Sequence, residues 1–191
     1  MATKNIMIVG VGGQGTLLAS KLLGHVLLNQ GYDVKVSEVH GMSQRGGSVV
    51  TYVRFGEKVY SPVIDKGEAD VIISFEKLEA ARWLEYLKPG GQIIMSTQEV
   101  EPMPVIIGAA EYPEQLVEKM QAAGAKTDAK DFLSIAETAG SAKAVNIALM
   151  GRFSTYFPEI PDEEWQKSIE ACVPAKFLEL NKKAFEMGRN A

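Results

Sequence analysis

The chain has 191 residues, 46% hydrophobic and 23% charged, with a formal net charge of −4. That length is enough for one domain with a real core, and the mild charge excludes both a nucleic-acid footprint and a polybasic membrane patch. The N-terminus enters an apolar run without a charged-then-apolar signal segment, and no apolar run approaches the ~20 residues of a membrane helix, so a cytoplasmic location is expected.

Residues 6–9 read as a buried strand, 16–30 as a helix, and 33–39 as a second strand after the Gly31 stop. Such a strand-helix-strand unit normally makes parallel neighbours. The pattern then breaks, because residues 48–55 and 58–63 are two β-rich runs joined by Gly56-Glu57, which predicts a hairpin. A doubly wound dinucleotide fold would place a helix there, so the sheet is expected to be mixed. Next come a strand at 71–75, a helix at 76–87 ended by Lys88-Pro89-Gly90-Gly91, and a strand at 92–96. A short strand at 105–107, a helix at 111–123 stopped by Gly124 and a short strand at 126–128 follow. From Ser141 the chain turns helical. Ser141 caps a segment whose Val145, Leu149 and Phe153 share one face, and Asp162 caps a helix carrying Trp165, Ile169 and Cys172. Pro174 then precedes a last helix, 175–187, ended by Gly188. No repeat or composition shift marks a second domain.

Two constellations carry chemistry. Gly10-Val11-Gly12-Gly13-Gln14-Gly15 sits between the first strand and helix, where glycines let a backbone approach a phosphate and helix N–H groups point at it. Glu38, near the end of the second strand, stands roughly where a ribose-binding acid belongs in a dinucleotide fold. The plainer reading of the glycines is a tight turn with close packing. The second constellation, Ser43-Gln44-Arg45-Gly46-Gly47, belongs to a polar loop at the carboxyl end of the second strand. It should neighbour the glycine turn, because both open at the same sheet edge. A guanidinium there suits a phosphate or carboxylate, or else pairs with an acid of this chain or a partner.

The remaining candidates are weaker. His40 has the near-neutral pKa of a general base, but no acid–nucleophile partner accompanies it, and a structural role is expected. His25 reads as packing or surface, and Cys172 as a buried apolar group. Glu163 and Glu164 belong at a helix start. The single cysteine excludes a disulfide framework or a cysteine-bound iron–sulfur cluster within this chain, and no metal-ligand spacing or nucleophile elbow occurs.

The two motifs together, residues 9–15 and 37–48, resemble the gamma-type domain of 2-oxoacid:ferredoxin oxidoreductases. The form they most resemble is the small (beta) subunit of the indolepyruvate enzymes. Tyr60-Ser61-Pro62, Glu68-Ala69-Asp70-Val71, Phe75-Glu76-Lys77-Leu78-Glu79-Ala80, Leu87-Lys88-Pro89-Gly90-Gly91, residues 144–151 with Asn146, and residues 173–188 extend the resemblance over almost the whole chain. The resemblance implies one three-layer α/β/α domain over residues 1–191, with a mixed, mostly parallel sheet, a Rossmann-like start and a helical C-terminal segment. It also implies an accessory subunit of an enzyme that oxidatively decarboxylates a 2-oxoacid to an acyl-CoA and reduces ferredoxin. Thiamine diphosphate and the iron–sulfur clusters would lie on a larger catalytic partner, with coenzyme A as co-substrate and ferredoxin reached through the complex. This chain has no thiamine-type GDG…N segment. By carry-over Gly12, Gly13, Gln14 and Gly15 form the turn, and Ser43, Gln44, Arg45 and Gly46 the facing loop. Both would meet coenzyme A or the partner, with no proton-transfer catalyst among them. Asn146 matches a family position without an assigned role.

Two other classes stay open on the residues alone. One is a free-standing enzyme using NAD or S-adenosylmethionine, since Leu87-Lys88-Pro89-Gly90-Gly91 also occurs in methyl transferases. The other is a non-enzymatic nucleotide-binding scaffold. A homodimer of the isolated chain would fit the favoured reading, as would the absence of nucleic-acid and membrane partners.

Overall fold

The first strand owes its length to alternation between two apolar surfaces. In β1 (Lys4–Val11) Ile6 and Ile8 enter one core while Met7 and Val9 enter the other, the pattern of a strand covered on both faces. The computed structural model describes residues 2–39 and 46–191. Helix α1 (Thr16–Asn29) leads to β2 (Asp33–Val39), which is followed by β3 (Ser48–Gly56) and β4 (Ala69–Ser74). Then come α2 (Lys77–Arg82), β5 (Leu87–Ser96), α3 (Met103–Ile106), α4 (Leu116–Ala122) and β6 (Lys126–Lys130). The chain closes with α5 (Phe132–Ala139), α6 (Val145–Ser154), α7 (Asp162–Cys172) and α8 (Leu178–Arg189).

The six strands form one mixed sheet in the order β2-β3-β1-β4-β5-β6. β3 is antiparallel to both β1 and β2, with Ile6 opposite Val53 and Val36 opposite Val53 from the other side. β1, β4, β5 and β6 run parallel. One face packs against α1, α5, α6, α7 and α8 through Ile8, Phe55, Ile73, Leu22, Phe153 and Trp165, and the other against α2 and α4 through Met7, Ile72, Ile93 and Met120. This is the expected three-layer arrangement. No helix among the described residues is long and apolar enough to cross a membrane.

Several local expectations are corrected. β1 and β2 run in the same direction but do not touch, because β3 lies between them. Residues 58–63 form no strand. Their backbone is held by side chains instead: Arg54 Nη1 donates to the Ser61 and Val63 carbonyls at 3.1 and 2.8 Å, and Val59 N–H donates to Asp33 Oδ2 at 2.9 Å. Residues 105–107 are not a strand, since the Pro102–Pro104 stretch opens the short helix α3. The helix expected over 76–87 ends at Arg82 and continues as a 3-10 turn over Leu84–Tyr86. β5 begins at Leu87 and takes in the Lys-Pro-Gly-Gly run with a register irregularity opposite Ala69 and Val71. α4 starts at Leu116 rather than 111, after Gln115 in the left-handed region (φ 55°).

The C-terminal half holds four more differences. α5 was not foreseen, and Asp131 caps it by accepting from Ser134 N–H at 3.0 Å. α7 has Pro161 at its N-cap, so Asp162 is its first residue and pairs with Arg189 at 2.5 Å. Ser141 does cap, at 3.2 Å from Lys143 N, but on a 3-10 turn over Ala142–Ala144 ahead of α6. α8 runs through Gly188 to Arg189. A Cβ on Gly188 would stand 1.9 Å from the Ala148 carbonyl oxygen, so this glycine admits the α6 backbone instead of stopping the helix.

Candidate functional site

The glycine turn joins β1 to α1 at the carboxyl edge of the sheet, where ligands gather in open α/β folds. Gly13 and Gly15 have φ of 103° and 88°, a region closed to most side chains. The neighbouring loop is tied directly to this turn. Gly12 N–H donates to the Gly47 carbonyl at 2.8 Å, and Gly46 N–H donates to the Gly12 carbonyl at 3.3 Å. Gly46 and Gly47, the described end of the second constellation, are thus adjacent to the turn, as the shared sheet edge requires. Of the facing-loop candidates only Gly46 is among the described residues, whereas Ser43, Gln44 and Arg45, with His40 and Met42, lie outside them.

Gln14 serves the turn itself. Its Oε1 accepts from Val11 N–H at 2.7 Å, and its Nε2 donates to the Phe75 carbonyl at 3.2 Å and to Gln98 Oε1 at 3.4 Å. The amide thereby clips β1, β4 and the end of β5 together. Gly15 is held from the other side by Asn146, 4% exposed at the start of α6, whose Nδ2 donates to the Gly15 carbonyl at 3.3 Å. A Cβ on Gly15 would come within 2.4 Å of that Nδ2. The position left without a role is therefore the prop under the turn. An open cleft of about 380 Å³ lies here, lined by Gly13, Gly15, Gln98, Leu133, Lys143 and Asn146 among others. Exposed Lys143 adds positive charge beside the α1 N-terminus, which carries no side-chain cap and no acid in its first turn.

The dinucleotide geometry is not reproduced. β3 takes the place beside β1 that a dinucleotide fold gives to its second strand, so Glu38 stands two strands, roughly 10 Å, from β1. Glu38 Oε1 instead accepts from Ser20 Oγ on α1 at 2.8 Å. The Val11, Gly12 and Gln14 amides are already engaged within the turn region, which removes donors that a pyrophosphate would use.

Sequence reasoning matched residues 75–80 to a family motif but gave Glu76 and Glu79 no task. Both are buried beneath the same edge. Glu76 caps α2, accepting from Glu79 N–H at 2.7 Å through Oε2, while its Oε1 accepts from Val100 N–H at 3.2 Å and from the Tyr112 hydroxyl. Burial, then this carboxylate, pushes the Tyr112 phenol far above its usual range and keeps it a donor. Glu79 accepts from Ser48 Oγ and lies 3.5 Å from Arg82 Nε. The signal in the sequence was two acids spaced i, i+3 directly after an apolar strand, a capping pattern.

Burial holds the Glu79 carboxyl above its ordinary 4.5, with the Ser48 hydrogen bond and Arg82 opposing. A raised folded-state pKa gives stability that is complete below 4.5 and lost as pH climbs through the folded value. Glu79→Gln, which stays neutral, is expected to equal or exceed the parent's melting temperature at pH 7, with the gap closing toward pH 4. The exposed Arg82 contact it forfeits is worth only about 0–1 kcal/mol. A variant that loses ground as pH rises would show instead that the Arg82 pair outweighs burial.

The other candidates are structural. His25 Nδ1 lies 2.9 Å from Ser168 Oγ and joins α1 to α7. Cys172 is buried, and burial pushes its thiol up. Among the described residues no group of three or more His, Cys, Asp or Glu is arranged to hold a metal ion.

The chain is similar to known proteins over its whole length. Residues 5–191 match the family described as pyruvate ferredoxin/flavodoxin oxidoreductase. The chain is 44% identical over 198 residues to indolepyruvate oxidoreductase subunit IorB of Thermococcus kodakarensis, covering 100% of this chain and 96% of that one. Its fold is similar to pyruvate oxidoreductase subunit PORC of Thermotoga maritima (TM-score 0.75, 20% identity, 100% and 97% covered). It is also similar to a segment of the 2-oxoglutarate:ferredoxin oxidoreductase of Magnetococcus marinus (TM-score 0.75, 19% identity), where it covers 100% of this chain and 31% of that longer one.

Proposed function

The chain belongs to the pyruvate ferredoxin/flavodoxin oxidoreductase family as one of its small subunits, and from that premise we propose that it completes a thiamine-diphosphate-dependent 2-oxoacid:ferredoxin oxidoreductase acting on indolepyruvate or a related 2-oxoacid. The reaction is oxidative decarboxylation to an acyl-CoA with reduction of ferredoxin. Full-length similarity to a subunit of an indolepyruvate oxidoreductase supports the substrate class. A larger catalytic subunit carries thiamine diphosphate and the iron–sulfur clusters and hands electrons to ferredoxin. The lone, buried Cys172 does not fit a cluster ligand set, which takes several cysteine thiolates. The thiamine group supplies the carbanion chemistry, and this chain supplies positioning.

One observation carries the reading: the glycine turn is locked from three sides. Gly46 and Gly47 hold it through the backbone, Gln14 through its own side chain, and Asn146 from α6. A turn braced in this way is a rigid edge that meets coenzyme A or the catalytic partner. Gly12, Gly13, Gln14, Gly15 and Gly46 shape that edge, Lys143 attracts the phosphates of coenzyme A, and the family resemblance assigns Ser43, Gln44 and Arg45 to the same ligand. The complex works in the cytoplasm without nucleic acid or membrane.

The test is reconstitution. Neither this chain nor its larger partner alone should reduce ferredoxin with indolepyruvate and coenzyme A, and co-expression should restore turnover. Arg45→Ala and Lys143→Ala should each raise the KM for coenzyme A about tenfold, the weight of one charge-assisted hydrogen bond of ~1.5 kcal/mol. Turnover by the isolated chain would overturn the proposal. Unchanged assembly and KM in both variants would remove the phosphate role.

A further inference from the structure

Between β5 and α4 the chain leaves the sheet as an arm, residues 99–112, that emerges at the same edge as the glycine turn. Its base is fixed. Lys77 N–H donates to the Gln98 carbonyl at 3.1 Å, and Glu76 receives the Val100 amide at one end and the Tyr112 hydroxyl at the other. Its tip is fixed too, because the Pro104 carbonyl accepts from Ala109 N–H at 2.8 Å and Ala110 N–H at 3.1 Å. On this braced tip Met103, Ile106 and Ile107 are 65%, 61% and 68% exposed. Contiguous large apolar groups held out rigidly in this way mark a contact surface, and rigidity lowers the ordering cost of binding.

The charge around the tip selects the occupant. Glu101, Glu111 and Glu114 flank it, and no Lys or Arg occurs between Lys88 and Lys119. A second copy meeting this face across a two-fold axis would set acids against acids, and an anionic lipid surface would repel them as well. Gln98, at the root of the arm, touches Gln14 of the glycine turn at 3.4 Å. A protein covering that edge therefore reaches the arm. We infer that Met103, Ile106 and Ile107 insert into an apolar pocket, rimmed by Lys and Arg, on the larger catalytic subunit. The inference rests on the subunit reading above and adds the surface through which it assembles.

Ile106→Asp/Ile107→Asp tests it against the wild-type chain, each titrated onto the larger subunit. The two side chains are exposed, so the isolated variant should keep the parental melting temperature while its Kd for the larger subunit rises at least tenfold. Glu101→Lys/Glu111→Lys should slow association most at low salt. Wild-type and Asp variants binding equally well would overturn the inference and leave the subunit reading standing. Failure of the wild-type chain to bind or restore turnover would overturn both. If the Asp variant instead abolished self-association of the isolated chain with the larger-subunit Kd unchanged, the face would belong to a second copy and the inference would fall.

Discussion

Replacing Gly188 or Gly151 by alanine is expected to cost about 3 kcal/mol each, the upper end of overpacking penalties. The melting temperature should fall by roughly 6–12 °C for a chain of this size. In an ordinary helix the same change would gain about 1 kcal/mol, because alanine is the better helix former. Here the clash decides the sign. A Cβ on Gly188 would lie 1.9 Å from the Ala148 carbonyl oxygen and 2.6 Å from its carbon, and one on Gly151 would lie 2.0 Å from the Phe185 oxygen. Backbone atoms inside two packed helices cannot rotate aside as a side-chain tip would. The consequence reaches the site, since α6 begins with Val145 and Asn146, and Asn146 holds Gly15. Partly folded variants should therefore lose exchange protection in the glycine turn as well as at the crossing. Equilibrium unfolding followed by two probes measures the effect, and a loss below 1 kcal/mol would mean that the helices can separate at little cost.

Glu76→Ala should be comparably damaging, at about 3 kcal/mol from a lost helix cap together with orphaned donors. The side chain is 1% exposed and accepts from Glu79 N–H, Val100 N–H and the Tyr112 hydroxyl. Alanine leaves all three unpaired, although Val100 and Tyr112 are only half-buried and water recovers part of their loss. Glu76→Gln keeps one oxygen and should cost less than half as much. A second readout separates the loss of the carboxylate from general loosening. The Tyr112 phenol, raised first by burial and then by Glu76, should titrate lower in Glu76→Gln but stay above 10. Tyrosinate absorbance, with Tyr112→Phe identifying the band, would show this. An unchanged phenol pKa would place Tyr112 out of reach of Glu76.

The glycine turn, the strand-turn-helix start and the breakdown of strand-helix alternation after Gly47 were all legible in the sequence. Each is a local pattern of two to a dozen residues. The breakdown was read as a hairpin between residues 48–55 and 58–63, whereas β3 pairs with β1 and β2. Apolar alternation fixes which face of a strand is buried but not which strand lies beside it. Gln14 was foreseen on the turn but not as its clip, and Asn146 was noticed without a purpose. Each acts on a group that chain distance hides, Phe75 for Gln14 and Gly15 for Asn146.

The sequence by itself determined the local motifs and, through them, the family resemblance. A glycine turn lies between an apolar strand and a helix, a polar Ser-Gln-Arg-Gly-Gly run follows the second strand, and a single cysteine falls short of a cysteine-bound cluster within this chain. Those conclusions follow from residue type and short spacing. Tertiary structure alone decided that β3 separates Glu38 from the turn, that Gly188 is a crossing point and not a helix stop, and that Met103, Ile106 and Ile107 stand in solvent. The physical reason is common to all three. A glycine, an acid or an isoleucine has the same local preferences in either role, and only atoms brought near from distant parts of the chain fix which role it takes.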